Sequence, residues 1–191
     1  MIRKLNILGI NGSASKNSSN LAILKIIAEI GQKEFDLTIL DYLTELPHFR
    51  TELTTENIPE RIIELRNQIA NADGIIISTP EYVFSIPSGL KNLIEWCVSE
   101  TVFSDKIIGL ITASANGEKG HQELKLIMKT VQTHFTDKTT LLIQGIKGKL
   151  NSNGQISDSK IRTELDKFVE SFSKLIRKPA GNNGNRCTRD L

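Results

Sequence analysis

Two rhythms of apolar residues alternate along this chain. Short continuous runs occur at residues 5–10 (LNILGI), 37–40, Gly74–Thr79 (GIIIST), 107–113 (IIGLITA) and 140–143. Each has the length of a buried strand, and the first is ended by Asn11-Gly12. Between them the apolar positions recur at helical spacing. Leu21, Ile23, Leu24, Ile26, Ile27 and Ile30 form one stripe, with Gly31 as a stop, and Ile62, Leu65 and Ile69 mark a second helix over 58–72. Further helices are predicted over 87–99, 122–134 and 159–176, the last carrying Ile161, Leu165, Phe168, Phe172 and Leu175 on one face. Residues 44–57, which include Pro47, read as a polar connection.

Strict alternation of strand and helix predicts an α/β fold. A parallel sheet with right-handed crossovers and helices on both faces makes a three-layer sandwich, and five strands suggest the order 2-1-3-4-5. The third run is apolar on both faces, as a central parallel strand requires. In such sheets ligands bind beyond the carboxyl ends of the strands, where the strand order reverses. Three loops then matter, those after the first, third and fourth strands.

The first loop, residues 12–20, reads GSASKNSSN. It leads into a helix, so its backbone N–H groups can face an anion at the helix N-terminus, with four Ser hydroxyls and Lys16 as further donors. No GK[ST] follows Gly12, which excludes a P-loop, and the GxGxxG of dinucleotide sites is missing. The donor set suits a terminal phosphate monoester held without metal, such as that of a flavin mononucleotide. The alternative is that the serines cap the helix, with Ser18 or Ser19 at the N-cap. A Ser nucleophile lacks its GxSxG elbow and a matching His/Asp set.

In the second loop, Pro80 and Pro87 flank Tyr82 and Phe84 and are expected to make a rigid ledge. A flavin ring needs a flat apolar wall and backbone donors at its pyrimidine edge, and this loop can supply both. Ser85 is a candidate cap for the following helix, where Leu90, Leu93, Ile94 and Cys97 form a stripe and Lys91 and Glu95 an i,i+4 pair. Trp96 continues the stripe and reads as core, whereas Tyr82 lies in the loop itself and reads as a site residue.

Bulk properties narrow the function. A chain of 191 residues suits one domain over 1–178, followed by a tail, 179–191 (PAGNNGNRCTRDL), with no apolar period and an expectation of disorder. The net charge of +2 is too small for a nucleic-acid surface, and it lacks the acidity of a small carrier docking on basic partners. Cys97 and Cys187 fit no metal or redox motif. No run approaches the ~20 apolar residues of a membrane span, and no signal-peptide core precedes the first strand. A cytoplasmic protein with no membrane or nucleic-acid partner is expected.

Residues 80–96 closely resemble the PEYxxSxPGxLKNxxDW signature of the NAD(P)H-dependent FMN reductase family, whose fold is flavodoxin-like. Pro80, Glu81, Tyr82, Ser85, Pro87, Leu90, Lys91, Asn92 and Trp96 match it. In the first loop Gly12, Ser13, Ser18 and Asn20 match that family's GSxRxxSxN. The chain departs from the pattern at Ser15 (for Arg), Val83 (for Asn), Ser88 (for Gly) and Glu95 (for Asp).

The resemblance implies FMN as cofactor and NADPH or NADH as hydride donor. The flavin phosphate would lie on Ser13, Ser15, Lys16, Asn17, Ser18, Ser19 and Asn20. The ring edge would meet Pro80, Glu81, Tyr82, Val83, Phe84 and Ser85, and the third loop would add Ser114, Ala115, Asn116 and Gly117. Read without the resemblance, that third loop is a plain turn in which Gly117 and Gly120 permit positive φ and a close backbone approach, followed by a solvent-facing His121 at a helix start.

It further implies a small acceptor (flavin, quinone, azo compound or metal oxyanion) and a homodimer or homotetramer built through the LKN helix. With the chemistry carried by the flavin, no catalytic side chain and no metal site are expected. The alternatives are an electron-transfer flavodoxin without NAD(P)H activity and a regulatory domain that has lost its flavin. Replacing Ser13 and Ser18 together by Ala is expected to weaken FMN binding with the fold intact.

Overall fold

A computed structural model describes residues 3–151 and 153–178; the 179–191 tail and Cys187 lie outside the described residues. Five strands, β1 (Leu5–Asn11), β2 (Phe35–Leu40), β3 (Gly74–Thr79), β4 (Ile108–Ser114) and β5 (Thr140–Gln144), form one sheet in the expected order 2-1-3-4-5. All four pairings are parallel. The connecting helices are α1 (Ser19–Gly31), α2 (Glu60–Asn71), α3 (Ser88–Val98), α4 (Glu118–Thr130) and α5 (Ser159–Arg177).

Each sheet face buries its own core, because successive strand side chains point to opposite faces. On one face Leu8, Ile10, Ile75, Ile77 and Leu110 pack under α2, α3 and α4. On the other, Ile7, Ile76, Ile111 and Ile143 pack under α1 and α5. β3 is buried at all six positions, as its doubly apolar run required. On the α1/α5 face Phe168 and Phe172 stack over β4, and a Cβ on Gly109 would stand 2.6 Å from the Phe168 ring.

Several local expectations shift. α4 begins at Glu118 rather than 122, because Gly117, at φ 94°, turns the chain before the apolar stripe starts. It ends at Thr130, and His134 instead joins the sheet margin, where its N–H bonds the Lys106 carbonyl and its own carbonyl receives the Ile108 N–H. Ser85 does not cap α3. Pro87 occupies the N-cap without a side-chain bond, since its fixed φ and missing N–H suit a helix entry.

The 44–57 connection is not featureless. It holds two single 3-10 turns (Leu43–Glu45 and Thr51–Leu53), and Leu46 is buried in the core. Its Pro47 carbonyl accepts the indole N–H of Trp96 at 2.8 Å and the Asn92 amide at 3.0 Å. Trp96 is fully buried, as its place on the stripe predicted. Arg66 of α2, also buried, donates to the Trp96 carbonyl at 2.7 and 2.9 Å and so closes the last turn of α3.

Candidate functional site

The carboxyl ends of β1, β3 and β4 bring the three loops to one edge of the sheet. β1 keeps its pairing as far as Gly12, whose N–H bonds the Ser78 carbonyl at 2.8 Å. A Cβ on Gly12 would lie 2.5 Å from the Thr79 hydroxyl, so the close approach needs glycine. Buried Asn11 organises the loop beyond it. Its side-chain oxygen accepts the Ser13 N–H at 3.2 Å and the Ser18 hydroxyl at 3.5 Å, and its amide donates to Asp41.

Ser18 is the α1 N-cap, its Oγ accepting the N–H groups of Asn20 at 3.1 Å and Leu21 at 3.4 Å. Asn20 is buried and fully engaged: its amide donates to the Ala113 carbonyl at 3.1 Å and its oxygen accepts the Ser78 hydroxyl at 2.9 Å. It therefore ties the first loop to β3 and β4. Ser15, Lys16 and Asn17 lie exposed at the loop tip, with Ser19 half-buried behind them. Among the described residues no acceptor meets the backbone N–H of Ala14, Lys16, Asn17, Ser18 or Ser19. Five unclaimed donors at a helix N-terminus, with one lysine, can receive a phosphate.

Between its two prolines the second loop closes in a strained turn. Tyr82 and Ser85 exchange both backbone hydrogen bonds (2.9 and 3.0 Å), closing a two-residue hairpin. The residues between them, Val83 at φ 52° and Phe84 at φ 59°, both adopt the left-handed conformation that such a turn imposes. Asn-Gly is the usual occupant, and each strained residue costs on the order of 1–3 kcal/mol. Val83 is 95% exposed and Phe84 72%, so the strain holds two apolar side chains out into solvent. Pro80 is buried beneath the turn, and Ser85 is half-buried with its hydroxyl 3.4 Å from the Ile86 carbonyl.

Two contacts lock this turn to its neighbours. The Tyr82 hydroxyl lies 3.4 Å from Ser13 Oγ, joining the second loop to the first. Glu81 joins it to the third, with one carboxylate oxygen accepting the Gly120 N–H at 2.8 Å and the other the Gly117 N–H at 3.3 Å. Gly117 offers no side-chain cap to α4, and Glu81 supplies one from another loop. A Cβ on Gly120 would stand 3.1 Å from Glu81 Cβ, so of the two properties expected of these glycines, positive φ belongs to Gly117, and Gly120 serves a close approach, to Glu81. Ser114 is half-buried, while Ala115 and Asn116 are exposed, with the Asn116 side chain held by Gln144 at 2.8 Å.

His121 is not solvent-facing. It is half-buried, with Nδ1 2.9 Å from the Thr112 hydroxyl. Burial, reinforced by Lys125, depresses its pKa to about 4, so the imidazole is neutral at pH 7. Cys97 is buried in α3, and burial pushes its thiol up to about 12, which removes it as a nucleophile. Sequence reasoning missed Asn11 and Thr112. A polar residue closing an apolar strand was the available signal for Asn11.

The model of one protein family, described as NADPH-dependent FMN reductase, matches residues 5–147 and spans all three loops. The chain belongs to that family. FMN as cofactor and a reduced nicotinamide nucleotide as donor come with membership, which makes the chain an oxidoreductase. Among curated relatives it is similar to the NADH:(hydroxy)cinnamate reductase subunit CrdA of Vibrio ruber, with 27% identity covering 90% of this chain and 91% of that protein. It is also similar to a quinone reductase of Escherichia coli, with 25% identity covering 93% and 98%.

Among solved structures, FerB, a flavoenzyme NAD(P)H:(acceptor) oxidoreductase from Paracoccus denitrificans, superposes with a TM-score of 0.80 at 24% identity, covering 90% of this chain and 97% of FerB. The fold of this reductase is flavodoxin-like. The residues present fit FMN: unclaimed N–H groups for the phosphate and an apolar turn, held under strain, for the ring.

Proposed function

We propose that this family member is an NAD(P)H-dependent reductase of quinone-type acceptors, with FMN seated across the three joined loops. The observation that carries this reading is the linkage of the strained Val83–Phe84 turn to Ser13 on one side and to Gly117 and Gly120 on the other. A structure that spends several kcal/mol on an exposed apolar turn, and braces it from both sides, has a use for it.

In this reading the backbone donors of Ala14 and residues 16–19, with Lys16 and the Ser13, Ser15 and Ser19 hydroxyls, hold the phosphate. The side chains of Ser18 and Asn20 act by shaping the loop rather than by touching the ligand. Tyr82, Val83 and Phe84 wall the ring, and residues 114–117 close its other side. Bound there, FMN supplies the two-electron chemistry, accepting a hydride from the nicotinamide and passing electrons to the acceptor. The chain binds and orients, and excludes water with Val83 and Phe84. Neutral His121 is held on Thr112 of β4.

The quinone class is supported by what the relatives are named for and by the flat apolar surface of the turn. We further place the reductase in the cytoplasm, as a homodimer or homotetramer. α3 turns Leu90, Leu93, Ile94, Trp96 and Cys97 into its own core, leaving Ser88, Lys91, Glu95 and Val98 for a second copy. Among the described residues no helix is long and apolar enough to cross a membrane.

The purified protein is expected to retain or take up flavin and to oxidise NADPH or NADH only when FMN and a quinone are present. Flavin uptake without NAD(P)H oxidation would instead favour an electron carrier. Light scattering on the same sample reads the subunit number.

A further inference from the structure

A groove of about 1040 Å³ runs from the first loop down the outer side of α1, against Lys147, residues 150–151 and 153–156, and Arg162 of α5. Its mouth shares Lys16, Asn17, Ser18 and Ser19 with the phosphate loop, so it is continuous with the flavin site. Its lining is mixed, with an apolar part made by Ile26 and by Leu150 and Ile156, which pair with one another as an isolated bridge. Its rim is basic: Lys16, Lys25, Lys147 and Arg162 face a single carboxylate, Glu29.

This charge is unspent. Some surface cations elsewhere are matched, as Arg61 is by Glu45 and Glu64 and Lys91 by Glu95. Among the described residues none of Lys16, Lys25 and Lys147 has an ion pair, and Arg162 pairs with Asp166, which does not line the groove. Four cations in a chain of net charge +2 therefore converge on one concave surface. The apolar part takes the face of a base, and the basic rim takes phosphates.

We propose that this groove seats the adenosine end of the nicotinamide donor, and that Lys25, Lys147 and Arg162 select the 2′-phosphorylated dinucleotide, NADPH over NADH. The inference rests on the redox reading of the adjoining site. Continuity through Lys16 and Asn17 lets one extended ligand place its nicotinamide at the Val83–Phe84 wall and its adenosine beside α1. If Lys16 and the loop donors are taken by the flavin phosphate, the three remaining cations exceed what the donor's pyrophosphate alone would need. A 2′-phosphate is the added anion that distinguishes the two donors.

The test is calorimetric titration of the FMN-loaded protein with adenosine 2′,5′-bisphosphate and with ADP, using wild type and Lys25→Ala/Lys147→Ala. Wild type is expected to bind the bisphosphate about tenfold more tightly than ADP, and the double variant to lose about that factor with its flavin content unchanged. The KM for NADPH should rise by about the same factor, and by clearly more than the KM for NADH, with kcat unmoved. Equal affinity for the two probes, an unaffected double variant, or binding of neither probe overturns the assignment. A protein that takes up no flavin and oxidises neither nucleotide refutes the redox reading. Titration of that protein with the bisphosphate still reads the groove directly.

Discussion

The Glu81 carboxylate of the loop after β3 accepts the Gly120 backbone N–H at 2.8 Å, inside the first turn of α4. With its second bond to Gly117 at 3.3 Å, this side chain caps a helix that carries no cap of its own. The loops after β3 and β4 are consequently one mechanical unit.

Removing that cap should loosen both loops. Glu81→Ala is expected to lower the unfolding free energy by about 1–2 kcal/mol, the range of a lost N-cap or charge-assisted hydrogen bond. Amide exchange at Gly117 and Gly120 should accelerate with it. Glu81→Gln keeps one acceptor oxygen and should lose less. Denaturant melts and hydrogen exchange read the two effects, and unchanged exchange at Gly120 would contradict the cap.

Relieving the strained turn should trade function for stability. Val83→Asn with Phe84→Gly supplies the residues that a left-handed two-residue turn prefers, and should stabilise the fold by roughly 1–2 kcal/mol. The same change removes two apolar side chains that are 95% and 72% exposed, so flavin affinity should fall while the melting temperature rises. A double variant no more stable than wild type would show that the turn stores no strain.

Ser13 and Ser18 of the first loop part company. Ser18→Ala removes the α1 cap and a contact to Asn11, and should cost about 1 kcal/mol of stability. Ser13→Ala should leave stability nearly unchanged and act on the ligand side, through its contact with Tyr82 and the exposed loop tip. Paired Ser13/Ser18 replacement should therefore weaken FMN binding with the fold intact but about 1 kcal/mol less stable. Parallel denaturation and FMN titration of the single variants separate the roles.

His121 gives the pH dependence a definite sign. Its folded pKa of about 4 lies below the ordinary 6.5, so between those values the unfolded chain binds a proton that the folded one refuses. The stability associated with the neutral imidazole is complete above pH 6.5 and is lost as pH falls toward about 4. His121→Gln should flatten that limb in denaturant melts across the same window, and an unaltered slope would contradict the burial of the charge.

The sheet was legible because its cause is local. The apolar runs of β1, β3 and β4 announce buried parallel strands, and strict alternation with helices fixes the order. The three loops were legible because topology aims every ligand at the carboxyl edge. Their internal division of labour was not. Ser18 and Asn20 read as phosphate donors, yet their side chains are spent on the α1 cap and on ties to β3 and β4, contacts up to 93 residues apart in sequence. The helical turn at Glu118 was hidden because its cap, Glu81, comes from another loop. His121 looked exposed because its partner Thr112 sits on a strand whose register no local pattern reveals. The basic groove gathers Lys25, Lys147 and Arg162, which nothing in the linear order connects.

The phosphate cradle is the point on which the site stands. Titrating the flavin-free protein with FMN and with riboflavin, by quenching of flavin fluorescence, tests it directly. With five unclaimed backbone N–H groups and Lys16 waiting for a phosphate, FMN should bind roughly a hundredfold more tightly than riboflavin. Equal affinities for the two, or no quenching by either, would contradict the three-loop site.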